Sequence, residues 1–213
     1  MSSIAVQQST QLRTLINDRW NQTKMDSWKF HSAGSNYSNK RVYLEYIGIP
    51  VDAPKPFRWI WKSCTLAKQK FFFWLLLQDR LNTRDLLTRK NFHIESTRCV
   101  LCDDEPNEYL THLFFSCDFS QNFWMAIGFQ WKTDFELLEM LMEGKRYNNV
   151  VCYKECLVAG CWSIWKHRNN TIFEHKPKNM QYYISTFKEH FEMIIKKVKP
   201  SLKEGMQSWL DYL

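Results

Sequence analysis

The chain has 213 residues and a formal net charge of +7, with 45% hydrophobic and 16% aromatic residues. This length allows one buried core or two small ones, and the composition excludes a disordered chain. Glycine and proline occur only six times each, which favours helices with bulky apolar faces over a turn-rich β-sandwich.

The N-terminal quarter of the chain carries weak structural signals. Residues 1–25 are polar and are expected to be a flexible N-terminus. The aromatic residues and the glycine between Asp26 and Tyr37 are compatible with a short N-terminal β-hairpin. Ser38 offers the N-cap of a short helix, and the prolines of Gly48–Pro56 indicate a linker or an irregular loop.

Helical signals dominate from residue 63 onward. Ser63–Leu81 is apolar nearly all round at its centre, which predicts a buried helix. Asn82 offers the N-cap of a second helix over Thr83–Lys90, with Asp85 at its third position.

More helices are predicted towards the C-terminus. Three of them cover Ser120–Ile127, Asn149–Phe173 and Asn179–Val198. A fourth begins at a capping box formed by Thr133 and Glu136 and is closed by Gly144. A short last helix begins at a second capping box, formed by Ser201 and Glu204. Pro177 and Pro200 end the two longest patterns, because proline removes a backbone donor and clashes with the preceding turn.

Three cysteines and a histidine lie within CVLCDDEPNEYLTHLFFSC, spaced C-x2-C-x9-H-x4-C. Two cysteines separated by two residues reach one ion from a tight turn, and His112 and Cys117 lie just over one helical turn apart. Cys99, Cys102, His112 and Cys117 therefore predict a zinc site that is closed, without a reactive water, and hence structural. Metal binding would fold this polar segment, and Leu113–Phe115 would anchor it on the helices.

A redox pair, a disulfide loop and coincidental core cysteines are the alternatives for this stretch. A thioredoxin-like pair needs a βαβ setting that the surroundings lack, and disulfides are rare in a reducing compartment. Core cysteines are the strongest competitor, and His93 is a substitute for one ligand. Cys152, Cys156 and Cys161 are interpreted as buried small residues. His167 is interpreted as a surface group.

Together these elements predict a mainly α fold, a helical domain with a small Cys3His zinc-binding insert and the short N-terminal hairpin as an option. We divide the chain into the flexible residues 1–25, a domain over 26–130 and a helical C-terminal region over 131–213. The longest apolar run, Phe71–Leu77, has seven residues, whereas a membrane-spanning helix needs about 20. Without an apolar leader at the N-terminus, an intracellular setting with no membrane partner is expected.

Charge is unevenly distributed along the chain. Residues 55–98 carry ten basic and three acidic groups, and residues 166–203 carry nine and three, whereas residues 103–161 carry four basic and ten acidic groups. A basic block with interleaved aromatic residues suits a phosphate backbone, although a solvated helix face gives the same pattern. The predicted phosphate contacts are Arg80, Arg84, Arg89 and Lys90. Trp59, Trp61 and Phe92 can stack on unpaired bases or pack in the core.

The sequence contains no recognisable catalytic motif, with no GxxxxGKS, GxSxG or HExxH pattern. Asp103 and Asp104 lie inside the predicted zinc turn and are interpreted as turn-forming acids, not as polymerase metal ligands. We therefore expect a chain that is not an enzyme and that takes no small-molecule substrate.

Several motifs occur in the order found in a known family. DSWKFHSAGSNYSNKRVY (Asp26–Tyr43), FRWIWK (Phe57–Lys62) and KFFFWLLLQDRLNTRDLLTRKNF (Lys70–Phe92) precede the cysteine segment, and WSIWKHRNNTIFE (Trp162–Glu174) follows it. With CVLC and HLFFSC, this order resembles the reverse transcriptase zinc-binding domain of plant LINE-type (non-LTR) retrotransposon polyproteins, roughly over Asp26–Glu174.

The resemblance implies that Cys99, Cys102, His112 and Cys117 bind zinc and that the domain holds RNA or DNA near a polymerase. In the family the polymerase and endonuclease normally lie upstream, and RNase H follows in some relatives, so these activities are not expected here. A nuclear location rests on the resemblance alone. Two alternatives remain open, a helical protein-interaction module and a decayed retroelement fragment with no selected function.

Overall fold

The computed structural model describes residues 54–102, 107–148, 150 and 152–213. The expected flexible N-terminus, the hairpin and the helix from Ser38 lie outside these residues, as do Asp103 and Asp104. Within the described ranges the fold is helical, and its extended pairing is a single antiparallel bridge between Arg98 and Asn107. The mainly α class predicted from the sequence is therefore confirmed.

The helices follow one another with short connections. They are α1 (Lys55–Lys62), α2 (Ala67–Leu77), α3 (Arg84–Arg89), α4 (Asp118–Ala126), α5 (Leu137–Tyr147), α6 (Tyr153–Phe173), α7 (Met180–Ile195) and α8 (Pro200–Tyr212), and a π-helical turn spans His112–Ser116 before α4. None of these helices combines the length and the apolarity that crossing a membrane requires.

Helix α1 was not expected from the sequence. Pro56 lies in its first turn, where the N–H that proline lacks has no helical partner in any case. Two of the prolines that indicated a loop, Pro54 and Pro56, therefore begin a helix instead. The predicted helix over Ser63–Leu81 is shorter, because Ser63 to Leu66 connect α1 to α2.

The helix caps agree only partly with the predicted ones. Thr83 caps α3 in place of Asn82, since its Oγ1 accepts a hydrogen bond from the Leu86 amide at 3.3 Å. Asn179, where the predicted helix begins, is the N-cap of α7, and its Oδ1 accepts from the Tyr182 amide at 3.0 Å.

Two predicted capping boxes are wrong in detail. The N-cap of α5 is Glu136, not Thr133, and α8 begins at Pro200, which puts Ser201 inside the helix. Gly144 lies within α5 instead of closing it. A Cβ at residue 144 would lie 2.6 Å from Cζ3 of Trp131, so this glycine admits an indole ring against the helix backbone.

Helix α6 lies at the centre of the fold and packs against α1, α2, α7 and the π-helical turn. It is buried over most of its length, and the apolar residues that predicted a helix here, among them Leu157, Cys161 and Ile164, lie in the core. At Gly160 a Cβ would lie 2.4 Å from Cη2 of Trp124, so the indole of α4 rests on the α6 backbone. The core contains residues from both sides of residue 130, and the domain boundary drawn there stays a prediction.

Candidate metal centre

The first two predicted ligands lie in a loop that is closed by pairing at its base. The Glu108 amide donates to the Thr97 carbonyl at 2.8 Å, next to the bridge between Arg98 and Asn107. Thr97 Oγ1 also donates to Asn107 Oδ1 at 2.7 Å. Both thiols of the loop, those of Cys99 and Cys102, are consequently held in a buried position.

The other two ligands lie at the ends of the π-helical turn. The Cys117 amide donates to the His112 carbonyl, five residues back, at 2.7 Å. An α-helical bond would close four residues back, so the x4 spacing is matched by a π-helical turn that brings residues 112 and 117 together.

The apolar residues between His112 and Cys117 fix this turn in the core. Leu113, Phe114 and Phe115 are fully buried, and the Phe114 carbonyl accepts from Trp124 Nε1 at 2.7 Å. The prediction that these three residues anchor the cysteine segment on the helices is confirmed.

The structure brings the four predicted ligands together. The ligand atoms of Cys99, Cys102, His112 and Cys117 lie within 4.8 Å of one another, and all four residues are buried. Cys99 Sγ lies 3.9 Å from Cys117 Sγ, and Cys102 Sγ lies 3.3 Å from His112 Nε2. A tetrahedral ion with metal–sulfur bonds near 2.3 Å separates two sulfurs by about 3.8 Å, so the donor set fits one four-coordinate ion.

The electrostatics of the sulfurs also suit a cation. The hydrogen bond with Cys117, together with burial, raises the pKa of Cys99 to about 12. The same hydrogen bond lowers the pKa of Cys117, and the Ser120 and Phe119 amides at the start of α4 add to that effect. These hydrogen bonds favour the thiolate form of Cys117, which is the form that binds a metal ion.

Among the residues that the structure describes, these four are the His, Cys, Asp and Glu side chains that lie close enough together to bind one metal ion. His93 is exposed and lies outside this group. Cys152, Cys156 and Cys161 are buried, as predicted. Four protein ligands saturate a tetrahedral ion, so the geometry favours a structural role over a hydrolytic one.

A buried ion pair beside the cluster was missed by the sequence analysis. The side chains of Glu108 and Arg168 are 0% and 5% exposed, and Arg168 Nη2 donates to Glu108 Oε1 at 2.6 Å. The same Oε1 accepts from the Arg84 amide at 3.0 Å, and the Glu108 carbonyl accepts from the Asp85 amide at 3.2 Å. One residue therefore ties the ligand segment to α3 and to α6. Partners 60 residues apart leave no local pattern in the sequence.

Arg80 and Arg89, two of the predicted phosphate contacts, have different environments. Arg80 is exposed. Arg89 Nη2 lies 2.6 Å from Asp79 Oδ2, and its Nε lies 2.8 Å from Asp85 Oδ2. Two carboxylates therefore compensate the charge of Arg89, which weakens its expected attraction for a phosphate.

The other two predicted contacts, Arg84 and Lys90, are each anchored by one hydrogen bond. Arg84 Nη1 donates to the Arg98 carbonyl at 2.8 Å, and Lys90 Nζ donates to Asn82 Oδ1 at 3.3 Å. Neither bond compensates a positive charge, because a carbonyl and an amide oxygen are both neutral.

The three aromatic residues considered for base stacking separate into two groups. Trp59 packs against the core, edge-on to Tyr153 at a ring distance of 6.0 Å. Trp61 and Phe92 remain exposed, at 40% and 60%.

His167 is buried, and its interpretation as a surface group was wrong. Its ring lies parallel to that of Phe119, 4.9 Å away, because α4 and α7 cover this face of α6. Burial lowers the pKa of His167, which favours the neutral imidazole in the folded state.

Comparison with known proteins supports the assignment of the cluster. Residues 37–124 match the family model described as zinc-binding in reverse transcriptase, and this range contains all four converging residues. No curated protein and no solved structure matches the chain. Residues 37–124, which hold the metal cluster, are therefore similar to the reverse transcriptase zinc-binding domain.

Proposed function

We propose that the chain is a zinc-stabilised nucleic-acid-binding module derived from the reverse transcriptase polyprotein of a plant LINE-type retrotransposon. It acts inside the cell, in the nucleus, and has no polymerase, endonuclease or RNase H activity of its own. The observation that carries the proposal is the buried Cys3His cluster within a reverse transcriptase zinc-binding domain. Such a closed centre stabilises a fold and leaves binding to the surrounding surface.

Zinc is the metal that the donor set supports best. Three thiolates and one imidazole at tetrahedral spacing suit Zn²⁺, whereas Mg²⁺ and Ca²⁺ prefer six or more oxygen ligands. Metal analysis of the purified chain should find about one zinc ion per molecule. EDTA should release that ion and unfold the ligand segment, and an unchanged circular dichroism spectrum without zinc release would contradict the assignment.

The basic block over residues 55–98 supports nucleic acid as the partner. Its basic side chains are exposed, except for Lys70 and Arg84, which are half-buried. Because Asp79 and Asp85 compensate Arg89, Arg80 and Lys90 are the stronger candidates for phosphate contacts. Arg84 can take part through the guanidinium N–H groups that the Arg98 carbonyl does not use.

A salt series tests the nucleic-acid proposal directly. Fluorescence anisotropy with labelled single-stranded RNA and DNA should show affinity falling steeply with salt, with a logarithmic slope of about −0.7 for each phosphate contact. Arg80→Glu/Lys90→Glu should weaken binding strongly, whereas Lys199→Glu/Lys203→Glu, in the C-terminal basic block, should weaken it less. Undetectable or salt-independent binding would contradict the proposal. Capture of a protein partner after nuclease treatment would favour an interaction module instead.

A further inference from the structure

A cavity of about 520 Å³ lies between α3, residues 94–96 and the C-terminal half of α6. Its apolar lining comprises Leu87, Ile94, Trp165, Ile172 and Phe173. This volume falls within the range of about 300–1,000 Å³ typical of sites for small organic groups.

The rim of the cavity leaves aromatic surface in contact with water. Phe173, the last residue of α6, is 73% exposed, and Trp165 is only partly buried. The Arg168 guanidinium lies over the Trp165 ring, 4.9 Å from its centroid, and is held there by Glu108. An aromatic wall backed by a fixed ion pair is a rigid surface on which a flat ring can stack.

The polar lining is suited to the edge of a base and to its phosphate. Asn82 and Asn169 contribute amide groups, whose NH2 groups can donate to base edges, while their oxygens accept from Lys90 and Arg168. Arg84 contributes a cation at the same cavity, and Lys90 is hydrogen-bonded to Asn82. Glu95 is the acidic residue of the lining, and its one negative charge offsets only part of the two positive charges of Arg84 and Lys90. The local balance is therefore cationic, as an anionic strand requires.

We propose that this cavity binds one unpaired nucleobase of a single strand, with Phe173 and Trp165 contacting the ring and Arg84 contacting a flanking phosphate. The inference rests on the proposed nucleic-acid binding and specifies where base contacts are made. Stacking on aromatic side chains tolerates any base, so the site adds affinity without strong sequence preference. An apolar peptide is the less suitable occupant, because the cationic rim gives such a peptide no charge partner.

Phe173→Ala is a suitable test variant because its side chain is mostly in water, so its removal should leave the fold intact. Phe71→Ala is the matched control, since Phe71 is 55% exposed on α2 and is not part of the cavity lining. The probes are a labelled oligouridine and a strand of equal length whose sites lack bases but keep all phosphates.

The unmodified chain should bind the base-free strand about tenfold more weakly than oligouridine. Phe173→Ala should lose most of this difference, and Phe71→Ala should keep it. The difference should persist as salt rises, because stacking releases no counterions. If both strands bind equally well, the base site is refuted while nucleic-acid binding stands. If neither strand binds, the proposed function fails and the base site with it. An apolar peptide that competes for the cavity without displacing the strand would also refute the base site.

Discussion

Two groups of buried cysteines place the same residue type in opposite environments. Cys99, Cys102 and Cys117 come from two separate segments and meet a histidine. The second group, Cys152 and Cys156, lies on a single stretch of chain with its sulfurs 3.3 Å apart. Hydrogen bonding lowers the pKa of Cys117, whereas burial raises that of Cys156 well above its usual value.

The difference shows that cysteine proximity alone does not make a metal site. The ligand cluster combines backbone amides facing a sulfur, a nitrogen ligand and a second chain segment that completes the tetrahedron. In the helical pair, burial, the hydrogen bond with Cys152 and the nearby Glu155 carboxylate all oppose the thiolate of Cys156. Substitutions in and around the two groups can test this difference through the zinc content and the stability of the variants.

Removal of a ligand should give the largest effect. Cys117→Ser should reduce the zinc content from about one ion per chain to near zero and lower the free energy of unfolding by about 4–5 kcal/mol or more. Cys156→Ala, in the helical group, should keep the zinc and cost about 1 kcal/mol. Metal analysis with denaturant unfolding checks both variants. If Cys117→Ser and Cys156→Ala lost equal amounts of zinc, the proposed difference between the two cysteine groups would be refuted.

The buried ion pair should give the next largest effect. Glu108→Gln leaves the Arg168 guanidinium buried without its counter-charge, which should cost about 3–5 kcal/mol. The zinc content should remain at about one ion per folded chain, since Glu108 is not among the ligands. Arg168→Met in the same background should recover part of the lost stability. A double variant no more stable than Glu108→Gln would argue against a buried unpaired charge as the cause.

A glycine on the helical side should give a smaller effect. In Gly160→Ala the new Cβ would meet the Trp124 ring at 2.4 Å, so the ring must move, at a cost of about 1–3 kcal/mol. Gly128→Ala is the control, because its Cβ would meet nothing within 4 Å and its φ of +78° isolates the backbone strain. Thermal unfolding compares the two variants, and an unchanged melting temperature in Gly160→Ala would contradict the close packing of α4 on α6.

The smallest effect should come from the protonation of His167. Because burial lowers its folded-state pKa, the neutral form is favoured in the fold, and this contribution is lost as pH falls through the unfolded-state pKa near 6.5. Lys166 and Arg168 flank the ring in sequence and add no negative charge that would stabilise the imidazolium. Stability measured between pH 8 and pH 5 should fall less in His167→Phe than in the unmodified chain. If the stability of the two proteins fell equally with pH, a contribution from His167 protonation would be refuted.

The ligand set was predictable from the sequence because its spacing is local, and the x4 interval put His112 and Cys117 just over one helical turn apart. The helices α6 and α7 were predictable for the same reason, because apolar residues at helical spacing are also a local pattern. The burial of His167 was not, since Lys166 and Arg168 beside it indicate a surface, whereas Arg168 is itself buried against Glu108.

Contacts between distant segments account for the other errors. Gly144 resembled a helix end, but its role depends on Trp131, which lies outside α5. The prolines at the start of α1 fit a loop and a first helical turn equally well, and packing against α2, α5 and α6 selects the helix.

The ion pair between Glu108 and Arg168 also bears on how much of the chain must be transferred together with this domain. The family match ends at residue 124, yet a carboxylate inside it has its counter-ion at residue 168. A recombination event that joined residue 124 to foreign sequence would separate the two charges and uncover the face of α2 that packs on α6. The part of the chain that must stay joined to keep this ion pair therefore extends past residue 124 to Arg168 in α6.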